Sequence, residues 1–103
     1  MAILVLVTVP KNKAKNLAKI ALKEKTCACV NTIDQVDSFF WWKGKIEREK
    51  ESLLLCKTKN NKFSQLKKVI KKNHPYSVPE IIAFKIDKIN KEYLDWLEQE
   101  VNA

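Results

Sequence analysis

Two long runs of strand-forming residues flank Gly44, the one glycine in the chain. Ala28 to Trp42 reads as a strand and Lys45 to Thr58 as its partner, with Lys43-Gly44-Lys45 at the turn. Glycine takes positive φ freely, so a tight hairpin follows. Its length is the strongest constraint on the fold. An extended arm of this size spans roughly 50 Å, whereas a domain of about 100 residues has a radius of gyration near ~13 Å. The arm must bend at a bulge or leave its own core. Its tip carries Phe39, Phe40, Trp41 and Trp42, and successive strand residues point to opposite faces. Both faces of the tip are therefore aromatic, which implies a partner surface. The simplest partner is another copy of the chain. On the second arm, Leu53 to Leu55 form the buried end. Lys45 to Glu51 is densely charged and is expected to be wet, as suits a strand with a free edge.

The flanking segments complete the architecture. Ile3 to Val9 is apolar at both parities and stopped by Pro10, which predicts a central strand buried on both faces. Asn12 is placed to cap a helix in which Ala14, Leu17, Ala18, Ala21 and Leu22 recur at helical spacing, ending near Lys25. Asn60 or Asn61 caps a second helix with Phe63, Leu66, Val69 and Ile70 on its buried stripe. That helix stops before His74-Pro75, because the residue before a proline avoids helical angles. Glu80 to Ile86 is a fourth strand. Asn90 caps a last helix bearing Tyr93, Leu94, Trp96, Leu97 and Val101. Strand-helix-strand-strand-helix-strand-helix is an α+β order: the ferredoxin-like βαββαβ sandwich with an extra C-terminal helix, in one domain over residues 1–103. That superfold serves many functions and names none.

Charge and cysteine content narrow the setting. No apolar run approaches the ~20 residues of a membrane span, and Ile3 to Val9 has no basic segment before it as a signal peptide would. A cytoplasmic chain with no membrane association is expected. Cys27, Cys29 and Cys56 are an odd set in a chain with an ordinary core, which favours reduced thiols. The net charge of +8 is concentrated: residues 11–25 hold six Lys and one Glu, and residues 57–73 hold seven Lys. Such blocks read either as a surface for polyanions or as a solvated lysine face. Arg48 is the only arginine. Arginine is the better fork for base edges, so nucleic acid is not expected as a partner.

No catalytic constellation stands out, and no enzyme activity is expected. His74 is the sole histidine, and one glycine cannot build a phosphate loop. Cys27 and Cys29 would share a face on a strand. They read either as two thiolates for a soft ion or as a small core hydrophobe beside a thiol at the helix exit. His74-Pro75-Tyr76-Ser77-Val78-Pro79-Glu80 is a stiff loop. It reads either as a rigid display of His, Tyr and Glu or as a structural turn with Tyr76 packed. The aromatic arm could stack bases, but the first strand has no aromatic residue, and an oligomer contact is favoured.

The chain resembles the CutA family of divalent-cation tolerance proteins along nearly its whole length. The resemblance rests on Val5-Leu-Val-Thr-Val-Pro10, Cys29-Val-Asn31, Phe40-Trp-Trp-Lys-Gly-Lys-Ile46, Leu54-Leu-Cys-Lys-Thr58, His74-Pro-Tyr-Ser-Val-Pro-Glu80 and Tyr93-Leu94-x-Trp96. It implies a tightly packed homotrimer whose long hairpins pair with those of neighbours. It also implies a role in tolerance of copper(II) or another divalent metal ion, without an organic cofactor. A subunit cleft lined by Cys29, Asn31, Trp42, Lys57, Tyr76 and Glu80 is implied, with His74 as the metal-binding residue. The sequence departs from the family pattern at Asn73, where relatives often carry a second His, and at Val7 and Val9, where relatives carry Cys. PII-type signalling trimers share the fold, so a small anionic ligand in the cleft is the alternative. A scaffold trimer without a ligand is the third reading.

Overall fold

A computed structural model of the chain describes residues 1–102; residue 103, the end of the expected domain, lies outside the described residues. The elements are β1 (Ala2–Pro10), α1 (Lys11–Lys23), β2 (Cys29–Trp42), β3 (Lys45–Lys59), a 3-10 turn (Asn60–Lys62), α2 (Phe63–Asn73), β4 (Ile81–Lys85) and α3 (Lys91–Asn102). The strands form one antiparallel sheet in the order β2-β3-β1-β4. This is the expected split βαβ arrangement with a third helix added.

The hairpin turns on Lys43 (φ 50°) and Gly44 (φ 79°). Two successive positive φ values give the mirror-image turn whose twist matches that of paired strands. β1 pairs only with Glu51 to Lys59 of β3. The tip, from Lys45 to Lys50, therefore hangs from β2 alone and extends the molecule to 45 × 25 × 22 Å. Both remedies for the overlong arm are used. The tip leaves the core, and a bulge between Ile33 and Val36 bends β2 at its root. Ser52 Oγ donates to the Asp34 carbonyl at 2.7 Å and ties the bulge down.

Ile3, Val5, Val7 and Val9 of β1 and Leu54 and Cys56 of β3 face α1 and α2, which bring Ala14, Leu17, Ala21, Leu66 and Ile70 to the same core. The expectation that β1 is buried on both faces is corrected. Leu4, Leu6 and Thr8 are only half-buried, because both long helices cover the same side of the sheet. The opposite side leaves Ile33, Ile82 and Phe84 exposed. α3 packs against β3 and buries Leu97 and Val101, while Trp96 stays exposed.

Local expectations fail at helix starts. Neither Asn12 nor Asn60 or Asn61 caps by its side chain: α1 begins directly after Pro10 and α2 is entered through the 3-10 turn. Proline's fixed φ can replace a polar cap at a helix start. Asn90 does cap α3, with Oδ1 accepting from the Glu92 backbone N–H at 3.1 Å. Leu22 is exposed rather than buried, and α1 ends at Lys23. The fourth strand is shorter than expected, at Ile81–Lys85.

Candidate functional site

Loop 74–80 reaches the sheet through His74. Its Nδ1 accepts from the Tyr76 backbone N–H at 3.1 Å, which leaves the Nε2–H to donate to the Thr8 carbonyl at 2.8 Å. The residue is 8% exposed, and its ring lies 4.8 Å, centroid to centroid, from the Tyr76 ring. Both ring nitrogens are thus spent on backbone, and the loop is pinned to the end of β1. A metal ion at this imidazole would have to displace one of these bonds.

The pinned loop and the hairpin arm enclose a cleft of about 720 Å³. Trp42, Tyr76 and Glu80, all expected at a site, line it. So do Glu47, Glu49 and Glu51, which sequence reasoning assigned to a wet arm. For Glu51 that assignment is corrected: it is 4% exposed, at the point where β1 begins to cover β3. A readable signal was missed here. Acids at i, i+2 and i+4 of a strand share one face, and their partners across the hairpin include Phe40 and Ser38. Burial beside the Glu51 carboxylate pushes the Tyr76 phenol up to about 12, since both favour the neutral form. The cleft lining holds four carboxylates and no Lys or Arg. Among the described residues, however, no three His, Cys, Asp or Glu side chains stand close enough to hold a metal ion by themselves.

The other expected site residues lie elsewhere in the chain. Cys29 pairs with Lys57, and Asn31 with Leu55, at the far end of β3. Lys57 Nζ donates to Asn31 Oδ1 and approaches Cys29 Sγ at 3.9 Å. The Tyr93 phenol of α3 also meets Cys29; its pKa is raised by partial burial and by that thiol. From Glu51 to Lys57 the strand rises roughly 20 Å, so the chain holds two separate clusters. The expectation that Cys27 and Cys29 share a face is corrected as well. β2 begins only at Cys29, and Cys27 turns into the core against Cys56, whose thiol lowers the Cys27 pKa.

The sequence profile of the CutA1 divalent ion tolerance protein family matches residues 3–100. The chain belongs to this family. It is 44% identical over 96 residues to the divalent-cation tolerance protein CutA of Thermus thermophilus, spanning 92% of this chain and 93% of that protein. The fold matches the periplasmic divalent cation tolerance protein CutA of Archaeoglobus fulgidus with a TM-score of 0.95 and 38% identity, over 98% of this chain and 99% of that one. It also matches the PII-like protein CutA of Nostoc in its apo form, with a TM-score of 0.90 and 31% identity, over 98% and 97% of the two chains. As a CutA chain, it has no described helix long and apolar enough to cross a membrane.

Proposed function

We propose that the chain acts without catalysis, as a cytoplasmic homotrimer that takes up divalent metal ions, copper(II) among them, in the cleft between loop 74–80 and the hairpin. One observation carries the reading. In a chain of net charge +8, the cleft is lined by Glu47, Glu49, Glu51 and Glu80 and by no cation. A concave acidic surface with apolar walls concentrates cations above their bulk level. Because no three ligands meet among the described residues of one chain, the ion would keep water ligands or borrow a side chain from a neighbouring subunit. Carboxylate oxygens suit hard ions that keep their waters, and copper(II) binds most donor sets more tightly than its neighbours do. His74 supports the site by fixing the loop. The exposed tip, with Trp41 72% and Phe39 66% accessible, supports the homotrimer, since a monomer rarely leaves such a patch in water.

The test is the melting temperature of the reduced protein with and without copper(II). Stabilisation that disappears in Glu49→Gln/Glu51→Gln supports the acidic cleft, and stabilisation unchanged in that variant overturns it. A second reading, a small anionic ligand of PII-like type, is favoured by Lys57, an ammonium held by Asn31 rather than by an acid. It predicts stabilisation by a phosphate- or carboxylate-bearing metabolite that Lys57→Gln removes.

A further inference from the structure

The outer face of the helix layer is unlike the rest of the surface. On α1, Lys11, Lys15, Lys19 and Lys23 follow one another at four-residue spacing, all exposed. On α2, Lys67 and Lys71, and Lys68 and Lys72, repeat that spacing, also exposed. Side chains four apart on a helix are neighbours, and like charges there repel. Among the described residues, no ion pair reaches these lysines. There is no acid from Lys11 to Lys23, and none between Glu51 and Glu80. Elsewhere the same chain does pair its charges, at Arg48–Asp37 and at Lys91–Asp95. The two helices pack side by side on one face of the sheet, so both ladders lie on the exposed helix layer, with Lys11 Nζ turned to Gln35 Oε1 of β2 at 3.4 Å. Ser64, Lys67, Lys68 and Lys71 line a depression in this layer of about 450 Å³.

We propose that this α1–α2 surface docks the phosphodiester backbone of duplex nucleic acid, without reading its sequence. The missing counter-charge is then supplied by a regular row of phosphates. The ladder on α1 rises about 6 Å per lysine and about 18 Å overall, a linear array suited to a linear polyanion. Base reading would want arginine forks, and a single strand would want exposed rings to stack on. The ladders contain only lysine, and Phe63 is half-buried beneath Lys67, whose ammonium lies 5.8 Å from the ring centroid. Scarcity of arginine thus argues against sequence reading and leaves phosphate binding open. An anionic membrane fits less well, because firm surface attachment takes a second, apolar signal. On these helices only Leu22 is a large exposed apolar side chain.

The test is fluorescence anisotropy of labelled duplexes of unrelated sequence, one set of DNA and one of RNA, titrated with the full chain over a range of salt. Binding is expected to be independent of sequence and to weaken with salt by a log–log slope of about −0.9 per phosphate contacted on DNA. Lys19→Glu/Lys71→Glu is expected to weaken it at least tenfold. Lys43→Glu/Lys88→Glu, which changes net charge equally away from the face, is expected to leave it within twofold. Absence of binding at low salt overturns the proposal. So does an equal loss in both variants, which would reduce the effect to net charge. Binding to phosphatidylserine vesicles without binding to either duplex overturns it too.

Discussion

His74 ties loop 74–80 to the end of β1 with both of its ring nitrogens. They join the Thr8 carbonyl to the Tyr76 N–H, so His74→Ala leaves two backbone groups to find new partners. A loss of about 2 kcal/mol in unfolding free energy is expected, measured by urea denaturation. A variant as stable as the parent would show that the loop is held by other contacts. The Tyr76 phenol gives a pH signature. Its folded pKa of about 12 lies above its ordinary 10.0, because burial and Glu51 favour the neutral form. That contribution to stability is complete below pH 10 and is lost as pH rises through 12. The fall in melting temperature across this window is expected to be shallower in Tyr76→Phe; identical curves would count against the Tyr76–Glu51 contact. At this scale the sequence was only partly legible. His74, Tyr76 and Glu80 stand in a motif that can be read, whereas the carbonyl that holds His74 lies 66 residues away, where no local pattern points to it.

The order of elements was legible because each carries its own periodicity, and the hairpin turn was legible because Gly44 is the only glycine. Boundaries were less so. Helix caps were sought at Asn12 and Asn60, but Pro10 and a 3-10 turn start those helices instead. Burial of β1 was overread, since an apolar strand declares that it can be covered and not what covers it. Glu51 was misread for a related reason: it belongs by composition to the charged arm and by register to the sheet, opposite Pro10. At the turn, a methyl group added to Gly44 would meet nothing within 4 Å, so only the backbone conformation resists it. Gly44→Ala is therefore expected to cost about 1 kcal/mol in unfolding free energy while the circular dichroism spectrum stays unchanged. A collapse of the strand signal would mean that the hairpin depends on this turn more than its open surroundings imply.

The molecule as a whole presents surfaces a single chain does not use: an aromatic tip, a half-covered sheet face, an acidic cleft, and two site clusters set far apart along β3. The proposed trimer would cover the first two and would bring the clusters of different subunits together. Aromatic anchors at interfaces commonly carry ≥ ~2 kcal/mol each, so Trp41→Glu is expected to shift sedimentation from trimer to monomer at micromolar concentration. An unchanged trimer would place the interface elsewhere. Entry of a divalent ion into the acidic cleft is what the proposed function stands on. Its most direct test is a calorimetric titration of the reduced protein with copper(II) in a weakly chelating buffer, run beside Glu49→Gln/Glu51→Gln. A saturable site near one ion per chain is expected, and the double substitution is expected to abolish it. No heat of binding from intact protein, or the same isotherm from both proteins, would contradict this expectation.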